Sequence, residues 1–356
     1  MATIEQELED LLLSALKINA SDLHLSAGYK PTVRVDGMLL PLEDFSALTA
    51  EHAQNLAFSL LGERKDIFLE KKEVDFSYSF RDKARIRVNI FFEKGFVSSS
   101  LRLIPSKIKT LEELNLPTVL HKISQLKQGL VLITGPSGHG KSTTLASLID
   151  EINRDRAEHI ITIEDPNEYL FVGGKSIVNQ REIGNDTKSF QNALGSILRE
   201  DPNIIMIGEM RDPETIATAL TAAETGHLVL SSLHTNNASQ TVDRIIDVFP
   251  PNQQNQVRFQ LSNTLSAIVS QRLLPRISGG RVPALEIMFS NNAISNLIRE
   301  AKSHQIDLVI ETSFESGMVS LNHSLSELVR RGEVLPEVAL SYSSNQTELR
   351  TRIGGV

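Results

Sequence analysis

The stretch from Gly135 to Thr143 constrains this chain more than any other part of its sequence. It fits the pattern G-x-x-x-x-G-K-[ST], in which a glycine-rich turn wraps backbone N–H groups around an anion. Its members are Gly135, Pro136, Ser137, Gly138, His139, Gly140, Lys141, Ser142 and Thr143. A short apolar run, Leu130–Thr134, precedes the motif, and an apolar stripe of helical period follows it over residues 145–152. The sequence therefore predicts a strand, a phosphate-binding loop and a helix.

Two side chains of this loop have predicted roles. Lys141 is expected to reach the β- and γ-phosphates of a nucleoside triphosphate, and the Ser142 hydroxyl to bind Mg²⁺. The start of the following helix adds a partial positive charge that favours phosphate. The alternative, a glycine-rich turn without a ligand, is disfavoured because the strand and the helix that the motif requires are both predicted.

Composition excludes several classes of protein. The chain has 356 residues, which suggests two domains, and it contains no cysteine, which excludes disulfides and thiol catalysis. No apolar run approaches the roughly 18 residues of a membrane span. Acidic residues from Glu5 to Asp10 interrupt what would be the core of a signal peptide, so a cytoplasmic location is expected. The net charge of −8 argues against nucleic acid as the main ligand.

The N-terminal part predicts a small α+β domain over residues 1–104. In the run 85–91 the apolar Ile86 and Val88 alternate with Arg85 and Arg87. A turn at 93–94 pairs this run with the next and places Arg102 on the arginine face. From the pattern alone, a solvated outer face is favoured over a phosphate-binding face.

A linker over residues 105–117 and a second domain over 118–356 complete the predicted division. Short apolar strands at 130–134, 160–163, 204–207 and 228–232 alternate with helices, which indicates a mainly parallel sheet. Beyond the prolines at 250 and 251 the chain is expected to be mostly helical, with an apolar stripe over Leu261, Leu265, Ile268 and Val269.

Carboxylates follow two of the predicted parallel strands. Glu209 comes after the strand 204–207, where an acid can hold the Mg²⁺ shell through water. Glu164, Asp165 and Glu168 come after the strand 160–163, and one of them could orient and deprotonate an attacking water. For each acid taken alone, the alternative is a helix cap or a surface side chain.

Two histidines bracket the strand-like run 228–233. His227 precedes it and His234 follows it. A neutral imidazole can donate a hydrogen bond to a γ-phosphate and so sense whether that phosphate is present. The alternative, favoured for an isolated histidine, is that the ring caps backbone groups.

Taken together, these motifs resemble those of the secretion-superfamily ATPases that power type II secretion and type IV pili, and most closely the pilus retraction ATPases (PilT-like and PilU-like). The resemblance covers nearly the whole chain. Gly135–Thr143 corresponds to the Walker A motif, Thr162–Glu168 to the Asp box, Gly208–Asp212 to the Walker B motif and Thr225–Thr235 to the His box.

The resemblance implies specific roles for residues of this chain. It implies Glu168 as the catalytic carboxylate with Glu164 in support, and Glu209 as the acid associated with Mg²⁺. It also implies that Arg87 and Arg102 turn onto the γ-phosphate, which reverses the reading of their face as merely solvated. The implied fold is α/β, with a RecA-like P-loop NTPase domain and a smaller N-terminal PAS-like α+β domain.

The function implied by the resemblance is that of a Mg²⁺-dependent ATPase motor. A homo-hexameric ring would bind ATP and drive pilus retraction, the basis of twitching motility. It would dock on a platform protein at the cytoplasmic face of the inner membrane, peripheral to the bilayer and not inserted in it. Other pilus ATPases are possible partners, whereas nucleic acid is not expected.

Several alternatives remain open. One is an accessory retraction ATPase that needs a second motor, because Ser295 stands where the family's AIRNLIRE motif has its first arginine. A pilus-extension or type II secretion ATPase is disfavoured, since those typically carry a four-cysteine zinc subdomain. A nucleotide-binding scaffold with little turnover and a DNA-translocating RecA-like ATPase are the alternatives of other classes. His139, where the family usually has Ser or Ala, is expected to point away from the phosphates.

Overall fold

The computed structural model describes residues 3–35, 37–81, 84–105 and 107–354. The chain divides into two compact units. One is Met1–Lys107 together with Pro166–Leu170, and the other is Ile108–Asp165 together with Phe171–Val356. The boundaries that the sequence predicts, 1–104, 105–117 and 118–356, remain a proposal. Two residues of the predicted linker, Leu111 and Leu116, are buried in a core cluster of the second unit.

The first unit is an α+β arrangement. Its elements are α1 (Ile4–Lys17), β1 (Asp22–Leu25), β2 (Thr32–Val35), β3 (Met38–Pro41), α2 (Ala50–Leu61), α3 (Lys65–Lys71), β4 (Glu73–Phe80), β5 (Ala84–Glu93) and β6 (Phe96–Pro105). The strands form one antiparallel sheet in the order β3-β2-β1-β6-β5-β4. The predicted alternation in β5 is confirmed, because Ile86, Val88 and Ile90 are fully buried. They share a core cluster with apolar residues of α1 and α2.

The second unit is an α/β arrangement that ends in a group of helices. Its elements are α4 (His121–Ser124), β7 (Gly129–Thr134), α5 (Lys141–Asp155), β8 (His159–Glu164), β9 (Ile177–Glu182), α6 (Phe190–Ile197), β10 (Ile204–Ile207), α7 (Pro213–Glu224), β11 (Leu228–Leu233), α8 (Ala238–Asp247), α9 (Pro251–Thr264), β12 (Leu265–Pro275), β13 (Arg281–Phe289), α10 (Asn292–Arg299), α11 (Ile306–Thr312), α12 (Leu321–Arg330), α13 (Pro336–Tyr342) and α14 (Gln346–Ile353). Across the described residues, no helix combines the length and the apolar character needed to cross a bilayer.

The strands of this unit form a sheet in the order β13-β12-β7-β11-β10-β8-β9. All neighbouring pairs are parallel except β12 with β13, which is antiparallel. The central strands are buried on both faces, which explains why they read as continuous apolar runs. Because β7 and β10 lie on either side of β11, the loop after β7 and the acid after β10 end at the same edge of the sheet.

Helix α7 begins and ends where its sequence signals predict. The Asp212 side chain accepts a hydrogen bond from the Thr215 amide, and Pro213 occupies the first turn. Gly226, just past the C-cap, has a φ of +104°, a conformation that glycine adopts without strain.

The prediction of a mostly helical chain beyond residue 251 is wrong for residues 265–289. Helix α9 ends at Thr264, and Leu265 begins β12, so the apolar stripe from Leu261 to Val269 crosses from a helix into a strand. Strand β12 lies between β7 and β13 and is buried over most of its length. A strand buried on both faces lacks the two-residue period that would have distinguished it from a helix.

Candidate nucleotide site

The loop from Gly135 to Gly140 joins β7 to α5, as predicted. Gly135 has a φ of +140°, and a Cβ atom there would lie 2.3 Å from the backbone oxygen of Gln271 on β12. Glycine is therefore required where the loop passes closest to the neighbouring strand. Gly140 is the N-cap of α5 and provides no side chain to accept from the first-turn amides. Those amides and the helix dipole form a site suited to phosphate.

Lys141 is buried, and its ammonium group lies against its own loop. The Nζ atom donates to the backbone oxygens of Gly135 at 2.8 Å and Pro136 at 3.0 Å. It also lies 3.3 Å from Nδ1 of His234. These contacts place the positive charge at the loop.

His234 links this lysine to the acid of the Walker B motif. Its Nε2 atom lies 3.0 Å from Oε1 of Glu209, on the opposite side of the ring from the lysine contact. A neutral ring with its proton on Nε2 satisfies both contacts, because the ammonium then donates to Nδ1 and the ring donates to the carboxylate. The structure therefore brings Lys141, His234 and Glu209 together at one edge of the sheet.

Glu209 is held as a carboxylate. Burial alone would raise its pKa, but the hydrogen bond from Arg211 at 2.8 Å and the nearby His234 lower the pKa below its ordinary value. A charged carboxylate is the form that a divalent cation requires.

The side-chain oxygens predicted to bind a metal near the loop are of the type that Mg²⁺ prefers. The predicted donors are the Ser142 hydroxyl and the Glu209 carboxylate, which are hard oxygen ligands. Among the residues that the structure describes, there is no group of three or more His, Asp or Glu side chains placed to hold a metal ion. The two predicted oxygen ligands, Ser142 and Glu209, are of the kind that Mg²⁺ takes, since it commonly has one or two protein ligands and completes its shell with phosphate oxygens and water.

The acids of the Asp box lie in two different surroundings. Glu164 is buried at the end of β8, beside β10, and its Oε1 accepts from Thr162 at 2.8 Å and from Gln180 at 3.3 Å. Glu168 is half-buried and lies in Pro166–Leu170, the segment that forms part of the first unit. The assignment of Glu168 as the catalytic carboxylate stays a prediction.

His227 differs from His234 in its contacts. Its Nδ1 atom lies 2.9 Å from the backbone oxygen of Ala222 and 3.2 Å from the Thr225 hydroxyl. The ring therefore caps the end of α7, which is the arrangement that the alternative reading of an isolated histidine predicts. Its assignment to catalysis stays a prediction.

The predicted arginines of the first unit lie on one sheet face and pair with carboxylates. Arg102 is directly opposite Arg87 on the neighbouring strand. Arg87 forms a short ion pair with Asp75, at 2.6 Å, and Arg102 donates to Asp22 at 3.1 Å. Asp22 in turn lies opposite Arg34, which extends the row of charges. The role of Arg87 and Arg102 toward a γ-phosphate stays a prediction.

Strand β12 supports the nucleotide loop with residues that the sequence reasoning missed. The Gln271 side chain donates to the backbone oxygen of His139 at 2.8 Å and accepts from the Thr144 hydroxyl at 2.8 Å. The His139 ring accepts from the Leu273 amide at 2.9 Å through Nδ1. Burial, followed by nearby cationic side chains, lowers the pKa of His139, which keeps the ring neutral for this contact. The sequence analysis missed these residues because it predicted a helix for this stretch, and a helix would not place them beside the loop.

The sequence of the chain is similar to those of known proteins over nearly its whole length. The family described as type II/IV secretion system protein matches residues 1–280 of the chain. The chain belongs to this family. It is 47% identical to the type IV pilus retraction ATPase PilT of Pseudomonas aeruginosa, over 94% of this chain and 97% of that protein. It is 40% identical to the type IV pilus ATPase PilU of the same organism, over 98% of this chain and 91% of that protein.

Two solved structures have a similar fold. A crystal structure of the pilus retraction motor PilT with bound ADP matches with a TM-score of 0.88 and 48% identity, over 96% of this chain and 98% of that one. The ATPase DotB of Legionella pneumophila matches with a TM-score of 0.82 and 27% identity, over 94% of each chain. The predictions of an α/β secretion-ATPase fold with an N-terminal domain and a RecA-like domain, and of an ATPase, are confirmed by these matches.

Proposed function

We propose that this chain is a Mg²⁺-dependent ATPase motor that drives retraction of a type IV pilus. The observation that carries the ATPase assignment is the meeting of Lys141, His234 and Glu209 at the P-loop. The assignment to retraction is supported by the near full-length similarity to PilT of Pseudomonas aeruginosa and to a crystal structure of the pilus retraction motor PilT with bound ADP. Ser137 and Gly138 of the loop are exposed, which leaves this part of the loop open to solvent.

The residues of this chain have distinct tasks in the proposed reaction. Lys141 and the amides at the start of α5 bind the phosphates and stabilise the charge that develops during transfer. Ser142 and Glu209 would hold Mg²⁺, which supplies charge neutralisation on the phosphate oxygens when it is bound. Glu168, with Glu164 in support, orients the attacking water and accepts its proton. His234 reports the state of the γ-phosphate to Glu209.

The assembly that we propose is a homo-hexameric ring. It would dock on a platform protein at the cytoplasmic face of the inner membrane, peripheral to the bilayer. Arg87 and Arg102 would exchange their carboxylate partners for the γ-phosphate, and hydrolysis would release them. This exchange is the proposed link between turnover and movement of the N-terminal domain.

An accessory retraction ATPase is the second candidate. Ser295, in place of the family's arginine, donates its hydroxyl proton to the backbone oxygen of Ser262 at 2.8 Å. The side chain is thereby turned onto α9 and presents no positive charge at this position. The similarity to PilU fits this candidate as well.

The test of the proposed function uses purified protein and a deletion strain. The purified chain should hydrolyse ATP in the presence of Mg²⁺, and Lys141→Ala should abolish turnover because it removes the charge at the transferred phosphoryl group. A strain without this chain should carry excess surface pili and fail to twitch. Cells without pili would instead indicate an extension motor. Retraction with this chain as the sole motor would exclude the accessory candidate.

A further inference from the structure

Two buried or half-buried charged residues on the β12–β13 hairpin have no task in the proposed reaction. Glu286 on β13 lies opposite Ser270 on β12, and Arg272 is two residues further along β12 on the same face. Glu286 is only 8% exposed, and Arg272 is half-buried. Burial of a carboxylate is costly unless a specific contact compensates it, so the contacts of this pair are informative.

Both side chains hold the connection between β11 and α8. Glu286 accepts a hydrogen bond from the Ala238 amide at 2.7 Å. Arg272 donates through Nη2 to the backbone oxygen of Asn236 at 3.1 Å and to its Oδ1 at 2.8 Å. The connection is thus fixed at residues 236 and 238, and His234 lies two residues before the first of these points.

Ordinary helix capping does not account for Glu286. Asn237 already caps α8, because its side chain accepts from the Gln240 amide at 2.9 Å. A neutral side chain at position 286 would satisfy one further amide without placing a carboxylate in the protein interior. The carboxylate instead has a cation nearby, because Arg272 lies close enough to lower its pKa.

We propose that Arg272 and Glu286 are positioning residues that act through the 234–238 connection to set His234 against Glu209 and Lys141. This inference rests on the proposed ATPase function. The contacts of the pair are with Asn236 and Ala238, not with Glu209 or Lys141. The pair acts on the position of the imidazole that bridges these two residues, from a hairpin whose β12 strand also supports the loop through Gln271.

The surroundings of Glu286 make this support sensitive to pH. Burial, above all, raises the pKa of Glu286 to about 7; the Ala238 amide and Arg272 oppose this rise and Asp307 of α11 adds to it. The Ser270 hydroxyl also contributes to its surroundings, and Asp307 is itself held by Ser239. Above this pH the carboxylate is charged and attracts Arg272, whereas below it the attraction is lost.

The experiment compares turnover of three single variants in the full-length protein. Glu286→Gln keeps an acceptor for the Ala238 amide and removes the charge, and Arg272→Gln removes the cation. Glu333→Gln is the matched control, because it breaks the ion pair with Arg276 at the end of β12 without touching the connection. The first two should lower kcat roughly tenfold or more, as residues behind a catalytic group do. The KM for ATP should change by less, and the control should match wild type.

Two further readouts separate positioning from general stability. The wild-type kcat should fall as pH decreases through about 7, and Glu286→Gln should lack that component of the profile. Amide hydrogen exchange should become faster over residues 234–241 in Arg272→Gln and remain unchanged in the control. Arg272→Lys, which keeps the positive charge and N–H donors but loses the planar guanidinium, should recover part of the kcat.

The outcomes are decisive in each direction. Wild-type kcat in folded Glu286→Gln and Arg272→Gln, or faster exchange spread evenly through the second unit, would overturn the inference. If Glu286→Gln does not fold, the half-buried Arg272 variants carry the same test. If the wild-type chain itself shows no turnover, the proposed function fails, and exchange over residues 234–241 still decides whether the pair holds the connection.

Discussion

Single side chains of the Asp box differ in how far they are committed to the protein interior. Glu164 is buried and accepts two hydrogen bonds from side chains of β8 and β9, whereas Glu168 is half-buried. A buried acid with fixed donors is suited to holding its neighbours in place, and a more exposed one is better suited to exchanging a proton with water. This contrast supports Glu168 as the base.

Glu168→Gln should therefore retain nucleotide binding and lose hydrolysis, because an amide keeps the shape of the side chain but does not accept a proton. The loss expected for a general base is about 10²- to 10⁴-fold in kcat. Binding is measured with a fluorescent nucleotide and turnover by phosphate release. Normal turnover in Glu168→Gln together with a loss in Glu164→Gln would move the assignment to Glu164. Glu209→Gln is the companion variant and should weaken the dependence on Mg²⁺.

At the residue scale, it could be predicted that Lys141, Glu209 and His234 lie at one edge of the sheet, because each comes shortly after a strand that is recognisable as an apolar run. The residues around them could not be predicted in the same way. Arg272 and Glu286 contact the connection after His234 from strands far along the chain, and the pairing register that places them is not encoded in a local period. The carboxylates Asp22 and Asp75, which pair with the predicted arginines, are also contacts between strands.

At the scale of elements, β12 is the strand against which the nucleotide loop packs. It passes so close to Gly135 that even a methyl group would collide with its backbone. The sequence allowed the P-loop strand and helix to be predicted from their motif, but β12 was mistaken for helix because it is buried on both faces. Secondary-structure period fails where burial removes the polar half of the pattern.

Gly135→Ala tests this close approach. The added Cβ would meet the Gln271 oxygen at 2.3 Å, and the φ of +140° is strained for alanine. We expect a loss of stability of about 3 kcal/mol or more, from overpacking and backbone strain together. Urea denaturation of this variant and of the wild type measures the difference in the free energy of unfolding.

Gly138→Ala is the matched control in the same loop. Its φ is +78°, but nothing lies within 4 Å of the position where a Cβ would be. Only the backbone strain of about 1–2 kcal/mol is expected there. Equal destabilisation by the two substitutions would show that contact with β12 does not restrict the loop.

At the scale of the whole molecule, the division into an antiparallel α+β unit and a mainly parallel α/β unit could be predicted from the change in pattern near residue 105. The assignment of Pro166–Leu170 to the first unit could not, because nothing in that short segment distinguishes it from the second unit's loops. The segment carries Glu168.

The proposed role of Arg87 and Arg102 predicts that the second unit alone binds ATP but hydrolyses it poorly. A fragment starting at Thr110 keeps Leu111 and Leu116, which are buried in its core, so folding should survive. It lacks the arginines of the first unit and the rest of the unit to which the Glu168 segment belongs. Nucleotide binding near the wild-type value with turnover lowered by orders of magnitude is the expected result. Turnover equal to that of the full chain would contradict it.

Arginine variants of the full chain separate the two causes. Arg87→Ala breaks an exposed ion pair with Asp75, which costs at most about 1 kcal/mol of stability, so the protein should fold normally. If Arg87 reaches the γ-phosphate, turnover should fall by on the order of 10³-fold, as for other arginines that stabilise a transferred phosphoryl group. Arg81→Ala is the control. Arg81 also forms an ion pair, with Glu9, but it does not belong to the row of charges that contains Arg87 and Arg102. Arg102→Ala should also lower turnover, but with a larger loss of stability, since its partner Asp22 is buried. Wild-type turnover in Arg87→Ala and Arg102→Ala would show that the arginine row is a solvated surface, and the link between hydrolysis and domain movement would then require a different contact.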